Sequence, residues 1–123
     1  MTPQEFFKKD LFAENAGVVL LEVREGDSKA KLEIKPEHLN AGARTQGGAI
    51  FTLADLALAA AANSHGTLAF SLSSSITFLR ASGPGDTLYA EARSRTWLIQ
   101  SIACCVGPFT SFSHSAARSN TSE

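Results

Sequence analysis

The run from Thr45 to Asn63, TQGGAIFTLADLALAAAAN, constrains the fold of this chain more than any other stretch. Ala and Leu dominate it, and both are strong helix formers, so it predicts one helix. That helix is apolar on every side, and helices of this kind are normally buried. After the first turn only Thr52 and Asp55 interrupt the apolar surface. Asp is a poor interior helix residue and an expensive one to bury. A lone carboxylate at position 55 therefore needs a reason.

Two physical features meet on this helix. Its first turn has backbone N–H groups with no partner inside the helix, and with the dipole they favour negative charge. Gly47 and Gly48 stand there, and without side chains they let a ligand approach the backbone. Two turns later, desolvation of Asp55 would raise its pKa. The N–H groups suit a developing oxyanion, and the carboxylate suits a base or a nucleophile. They lie about 12 Å apart along the helix, and their directions differ by roughly 80°. One helix does not bring both to one reacting carbon, so a working pair needs a second subunit. Structural alternatives stay open: Gly47-Gly48 also suits a tight loop, and Asp55 a bond to backbone or to a buried Arg.

The chain has 123 residues and a formal net charge of -1, which fits one domain with one core. It has no basic run or basic–aromatic stripe, which argues against a nucleic-acid partner. The start, MTPQEFFKKDLF, lacks the apolar core of a signal peptide. The longest apolar segment is too short and too interrupted for a membrane span. The expected location is the cytoplasm. Cys104 and Cys105 are adjacent, which suits neither a relaxed disulfide nor a zinc site. They read as reduced core or strand residues. His38, His65 and His114 are too dispersed for a metal site and read as loop or surface residues.

Along the chain, Thr2-Pro3-Gln4-Glu5 is a capping-box pattern, and a short helix should run through about Phe12. Asn15-Ala16-Gly17 ends it. Residues 18 to 35 read as a hairpin, turning at Glu25-Gly26-Asp27-Ser28, with Ala30, Leu32 and Ile34 on its inner face. A loop from Pro36 to Arg44 leads into the buried helix, and Gly66 is a candidate left-handed cap beyond it. Thr67 to Leu79 reads as a long strand with Ser71, Ser73 and Ser75 on one face and Leu72, Ser74 and Ile76 on the other. A loop over 81–86 precedes a strand from Thr87 to Arg95. The order predicts an α+β chain in which one antiparallel sheet curls about the helix.

At this point the residues resemble a family. Asn40-x6-Gly47-Gly48-x6-Asp55, within NAGARTQGGAIFTLAD, is similar to the hotdog-fold acyl-CoA thioesterases, in particular the phenylacetate-degradation type related to the 4-hydroxybenzoyl-CoA thioesterases. Ser75-Ile76-Thr77-Phe78-Leu79-Arg80 and Gly85-Asp86-Thr87-Leu88 add support. The resemblance covers residues 15 to 95 and implies a domain core over 1–95. Residues 96–123 form an atypical segment, expected to supply the last strands or to be partly disordered. The resemblance implies that Asp55 is the catalytic base or nucleophile. It places Gly47 as the N–H donor to the thioester carbonyl, Asn40 as a holder of that carbonyl or of the water, and Ser71 as a water-positioning residue. Gln46, Gly48 and Arg80 are the implied substrate-binding residues, with Arg80 toward the phosphates of coenzyme A. The implied partners are an acyl-CoA substrate and a second subunit, in a homodimer or homotetramer with sites at the interface. No metal or redox cofactor is implied.

Two departures stand out. Gln46 occupies the place of the family's usual His; Gln can donate and accept hydrogen bonds but cannot titrate, so it substitutes if that His only holds the helix entry and lowers activity if that His takes part in the chemistry. The segment after Arg95 does not resemble the family, as after divergence or an altered reading frame; Pro108 suits an edge or a break there. The alternative to a thioesterase is a non-catalytic hotdog domain that binds acyl-CoA or serves assembly. A hotdog dehydratase ranks last, because no His stands near Gly47. A serine hydrolase is disfavoured by the lack of a Gly-x-Ser-x-Gly elbow.

Overall fold

The computed structural model describes residues 1–96, 99–105 and 110–118, with side-chain surroundings for residues 1–94. Helix α1 spans Pro3–Phe7 and α2 spans Leu11–Ala16. The single helix expected through Phe12 is thus two. At α1, Thr2 and Glu5 close a capping box, with Glu5 N donating to Thr2 Oγ1 at 3.1 Å and Thr2 N to the Glu5 carboxylate at 2.7 Å. Those bonds hold the exposed Glu5 carboxyl below its ordinary pKa. The second helix starts because the Asp10 carboxylate accepts from Ala13 N, satisfying a first-turn donor. It ends at Gly17, whose φ of 89° is the left-handed conformation that glycine adopts freely.

The hairpin is present as β1, Val19–Arg24, and β2, Asp27–Glu33, joined at Glu25-Gly26. A single 3-10 turn at Pro36–His38 leads to the long helix α3, Gly47–Asn63. Then follow β3, Ala69–Thr77, β4, Thr87–Thr96, β5, Ile99–Cys105, and β6, Thr110–Arg118. The six strands form one antiparallel sheet in the order β1-β2-β4-β5-β6-β3. The backbone after Arg95 therefore joins β4 to β3 through β5 and β6. Cys104 and Cys105 lie on β5. Trp97, Val106 and Pro108, and the end of the Ser-rich run beyond Arg118, lie outside the described residues.

The sheet packs on α3, and alternation explains why. Ala30, Leu32 and Ile34 on one side of the hairpin are buried, as are Leu88, Ala90 and Ala92 on β4. They meet Leu53, Ala54, Ala57, Leu58 and Ala61 of α3 in one core. Leu32, Leu53, Leu58 and Leu88 are its largest fully buried side chains. Alanines on both surfaces let helix and sheet approach closely, which suits close packing. The buried Ser28 hydroxyl donates to the Ala57 carbonyl oxygen and ties β2 to the middle of the helix.

The helix is not buried all round. Gly48, Thr52, Asp55 and Ala59 lie at helical spacing, and none is fully buried. This stripe is left open by the sheet. The apolar content of the run hid it, because alanines do not distinguish a core face from a groove floor.

Candidate active site

Asp55 sits on the open stripe of α3, and β3 brings a hydroxyl to it. Ser71 Oγ donates to Asp55 Oδ1 at 3.3 Å. The strand reaches it through an irregularity. The pairing of β3 with β6 shifts register between Ser71 and Ser73, which takes Leu72 out of the alternation. Ala69 is buried and Ser71 faces the helix, whereas beyond the shift Ser74 and Ile76 are the partly buried residues. Leu72 is 72% exposed. The expected grouping of Ser71 with Ser73 and Ser75 is therefore corrected. A bulge re-aims one side chain, as bulges near functional sites do, and period-two reading cannot foresee it.

The helix start differs from the sequence expectation in its donors. Gln46 is the N-cap residue, and its side-chain oxygen accepts from Gly48 N at 2.5 Å. Ala49 N donates to Gln46 O at 2.9 Å. Gly48 N–H is thus engaged, and the donor left for a ligand is Gly47 N–H, which has no hydrogen-bond partner among the described residues. Both glycines make close approaches to protein groups. A Cβ on Gly47 would lie 3.0 Å from Phe78 Cζ, and one on Gly48 2.8 Å from Gln46 Oε1. Phe78, half-exposed just beyond β3, covers one side of Gly47. Sequence reasoning counted Gln46 as substrate-binding and left open that it holds the helix entry, which is where its capping bond places it; the Phe78 contact it missed. No periodicity signals either.

The loop before the helix is tightly organised. Asn40 Oδ1 accepts from Gly42 N at 2.9 Å and from Arg44 N at 3.1 Å, a turn that Asn side chains favour. Its acceptor thus holds its own loop, and its NH2 group is the end available to a ligand. Asn40 N donates to Arg44 O, and Gln46 N to His38 O, with Leu39 and Thr45 bridged between them. Thr45 N donates to Ser82 O, and Ser82 Oγ to Thr45 Oγ1 at 2.7 Å, in a buried contact.

His38 is buried, against the expectation of a loop or surface residue. Its Nδ1 accepts from Lys35 N at 2.9 Å, so Nε2 carries the proton and donates to Ala16 O at 2.6 Å. It pins the loop to the end of α2. His65 Nε2 meets Ser94 O at 3.0 Å. The His114 side chain lies outside those described. Arg80 is exposed on the connection from β3 to β4. No group of three His, Cys, Asp or Glu that could hold a metal occurs among the described residues. No helix of those residues is long and apolar enough to cross a membrane.

Asp55 and Ser71 stand at a cavity of about 330 Å³ between α1, α3 and β3. A carboxylate paired with a hydroxyl can activate water or attack a carbonyl. A helix-start N–H can stabilise the resulting oxyanion.

Residues 45–95 match the thioesterase superfamily. The chain is 46% identical over 87 residues to a protein of Archaeoglobus fulgidus named "Putative esterase", an alignment covering 71% of this chain and 56% of that protein. It is 35% identical over 89 residues to the acyl-coenzyme A thioesterase PaaI of Escherichia coli K12, covering 72% of this chain and 64% of that one. The chain thus spans less than two thirds of the length of each of these relatives. The structure of the PaaI protein from the E. coli phenylacetic acid degradation operon superposes with a TM-score of 0.87 at 27% identity, covering 94% of this chain and 89% of that one. The fold is the hotdog fold, and the similarity to the thioesterase superfamily lies over residues 45–95.

Proposed function

We propose that this protein hydrolyses the thioester of an acyl- or aryl-acyl-coenzyme A. The observation that carries the reading is the Asp55–Ser71 pair on the open stripe of α3, in a helix that begins with a Gly47 N–H unpartnered among the described residues. The A. fulgidus relative's name points to an esterase and the E. coli relative's to an acyl-CoA thioesterase.

The thioester carbonyl oxygen accepts from Gly47 N–H, assisted by the Asn40 NH2 group. Asp55 removes a proton from a water that attacks the carbonyl carbon. Alternatively, Asp55 itself attacks and forms an anhydride that water then opens. The C–S bond breaks and the thiol of coenzyme A leaves. Ser71 orients the carboxylate or the water. Gln46 does not need to titrate in this scheme, because its place is that of a helix cap. Gly48 keeps that cap in register, and Arg80 meets the phosphates of the substrate.

Gly47 and Asp55 lie about 12 Å apart along one helix, so the two halves of a site come from different subunits of a homodimer. An exposed edge strand with Phe70 and Leu72 on it suits such an assembly, because open sheet edges invite pairing. The expected compartment is the cytoplasm, where acyl-CoA is met. The reading is tested by release of free thiol from a panel of acyl-CoA thioesters, with sedimentation to give the assembly state. Turnover by a dimer or tetramer is expected. A folded oligomer that binds acyl-CoA without turnover would favour a binding or assembly module instead.

A further inference from the structure

The entrance to α3 is held by a buried pair of hydroxyls that the hydrolytic scheme leaves without a role. Gly47 N–H shares a planar peptide unit with the Gln46 carbonyl, and that carbonyl accepts from Ala49 N at 2.9 Å. The helix start therefore turns as one body, and the segment ahead of it sets where Gly47 N–H points. That segment, residues 44–46, lies between two neighbours. On one side, Asn40 N donates to Arg44 O and Gln46 N to His38 O, both at 2.7 Å. Thr45 faces the other way, as alternate residues of an extended segment do, and meets Ser82.

Thr45 and Ser82 are joined twice. Thr45 N donates to Ser82 O at 2.9 Å, and Ser82 Oγ donates to Thr45 Oγ1 at 2.7 Å, with both residues buried. One bond between two segments acts as a hinge, and a second between the same residues removes the rotation about the first. Ser82 is itself a fixed post. The turn after it closes through Asp86 N to Gly83 O at 3.1 Å and Gly83 N to Asp86 Oδ2 at 2.9 Å. That turn is pinned to the core residue Ile34, with Ile34 N donating to Asp86 O at 2.9 Å and Gly85 N to Ile34 O at 3.3 Å. The same connection lays the Phe78 ring on Gly47, so it touches the helix start at Gly47 and again two residues earlier.

We infer that Thr45 and Ser82 are positioning residues for hydrolysis: their hydroxyl pair fixes the direction of the Gly47 N–H toward the thioester oxygen. The inference rests on the thioesterase reading and adds two residues to it. Neither hydroxyl touches the substrate, and both act through the peptide unit of Gly47. The main-chain bond from Thr45 to Ser82 survives loss of either hydroxyl, so the segment stays attached and gains freedom to turn. A hydrogen bond weakens steeply as its angle closes. An oxyanion needs its donor more than the ground-state carbonyl does, so the loss falls on kcat and little on KM.

The test uses the full chain with Thr45→Val, Ser82→Ala, the double variant, and Thr45→Ser, which keeps the hydroxyl. Folding is checked by circular dichroism, and kcat and KM are measured by thiol release from hexanoyl-CoA. Thr45→Val and Ser82→Ala should each lower kcat by about fivefold, near the lower end of what one unpaired buried hydroxyl costs. KM should change less than twofold. The double variant should lose no more than the worse single one, and Thr45→Ser should match the parent. Unchanged kcat in the folded hydroxyl-free variants, even with a lower unfolding midpoint, would overturn the positioning role and leave the thioesterase reading standing. An equal loss in Thr45→Ser would also overturn it, because packing of the methyl group would then be the cause. If the parent releases no thiol, the thioesterase reading fails, and the Gly47 amide resonance, followed by NMR as hexanoyl-CoA is added, decides the positioning role. A downfield shift in the parent that Thr45→Val abolishes supports it, and no shift, or an equal one in both, overturns it.

Discussion

Ser71 on β3 donates its hydroxyl to the Asp55 carboxylate in the middle of α3, across 3.3 Å. The contact exists because β3 slips its register just after Ser71. A regular strand would send consecutive residues to opposite faces and keep Ser71 in step with Ser73 and Ser75. The slip instead puts one hydroxyl where it can steer the carboxylate.

Ser71→Ala removes that donor and leaves the carboxylate in place. A single hydrogen bond contributes about 0.5–1.5 kcal/mol net, which is roughly a two- to tenfold loss in kcat. Thiol-release rates at saturating acyl-CoA check this. A loss as large as that of an Asp55 variant would make Ser71 more than a positioning group.

Gly47→Ala should drive a methyl group against the Phe78 ring, because the added Cβ would stand 3.0 Å from Phe78 Cζ. The expected result is reduced activity and a lower melting temperature. Phe78→Ala should relieve the clash, so the double variant should be more stable than the sum of the single effects predicts. A double-mutant cycle measures the coupling, expected at about 0.5–3 kcal/mol for residues in contact.

Gln46→Ala removes the side-chain cap on Gly48 N–H. Loss of an N-cap costs about 0.5–2 kcal/mol, so the urea midpoint should fall by a corresponding amount. If Gln46 serves only as a cap, Gln46→His should keep kcat within a few-fold. A steep new pH dependence in Gln46→His would show that this position takes part in proton transfer.

His38→Ala takes from Lys35 N and Ala16 O the imidazole they share in part-buried hydrogen bonds, and opens a cavity where the His38 ring was buried. The expected cost is about 2–4 kcal/mol by equilibrium unfolding. The Gln46 N to His38 O bond is made by backbone and survives the substitution in principle. The loss should therefore appear in stability before it appears in kcat of the folded protein.

Much of this was legible in the residues. The helix over Gly47–Asn63 follows from its Ala and Leu content, and the buried faces of β2 and β4 from their alternation. The hotdog architecture follows from a buried helix placed between a hairpin and further antiparallel strands, together with the family resemblance. What was not legible depended on contacts between distant segments or on local backbone irregularity. The break between α1 and α2 turns on which of several polar residues caps, and Asp10 does. The Ser71 slip, the Gln46 bond to Gly48 and the Phe78 ring on Gly47 leave no periodic trace. Asp55 stood out as an expense in an apolar helix, but the open stripe from Gly48 to Ala59 that makes it tolerable appears only once the sheet is placed.

The central claim is that Asp55 activates the nucleophile for thioester hydrolysis, and Asp55→Asn tests it most directly. The side chain is nearly isosteric and only half-buried, so the fold and assembly should persist. Single-turnover release of free thiol should fall by about 10²–10⁴-fold, while binding of acyl-CoA changes little. A folded Asp55→Asn protein that releases thiol at the parental rate would contradict the assignment.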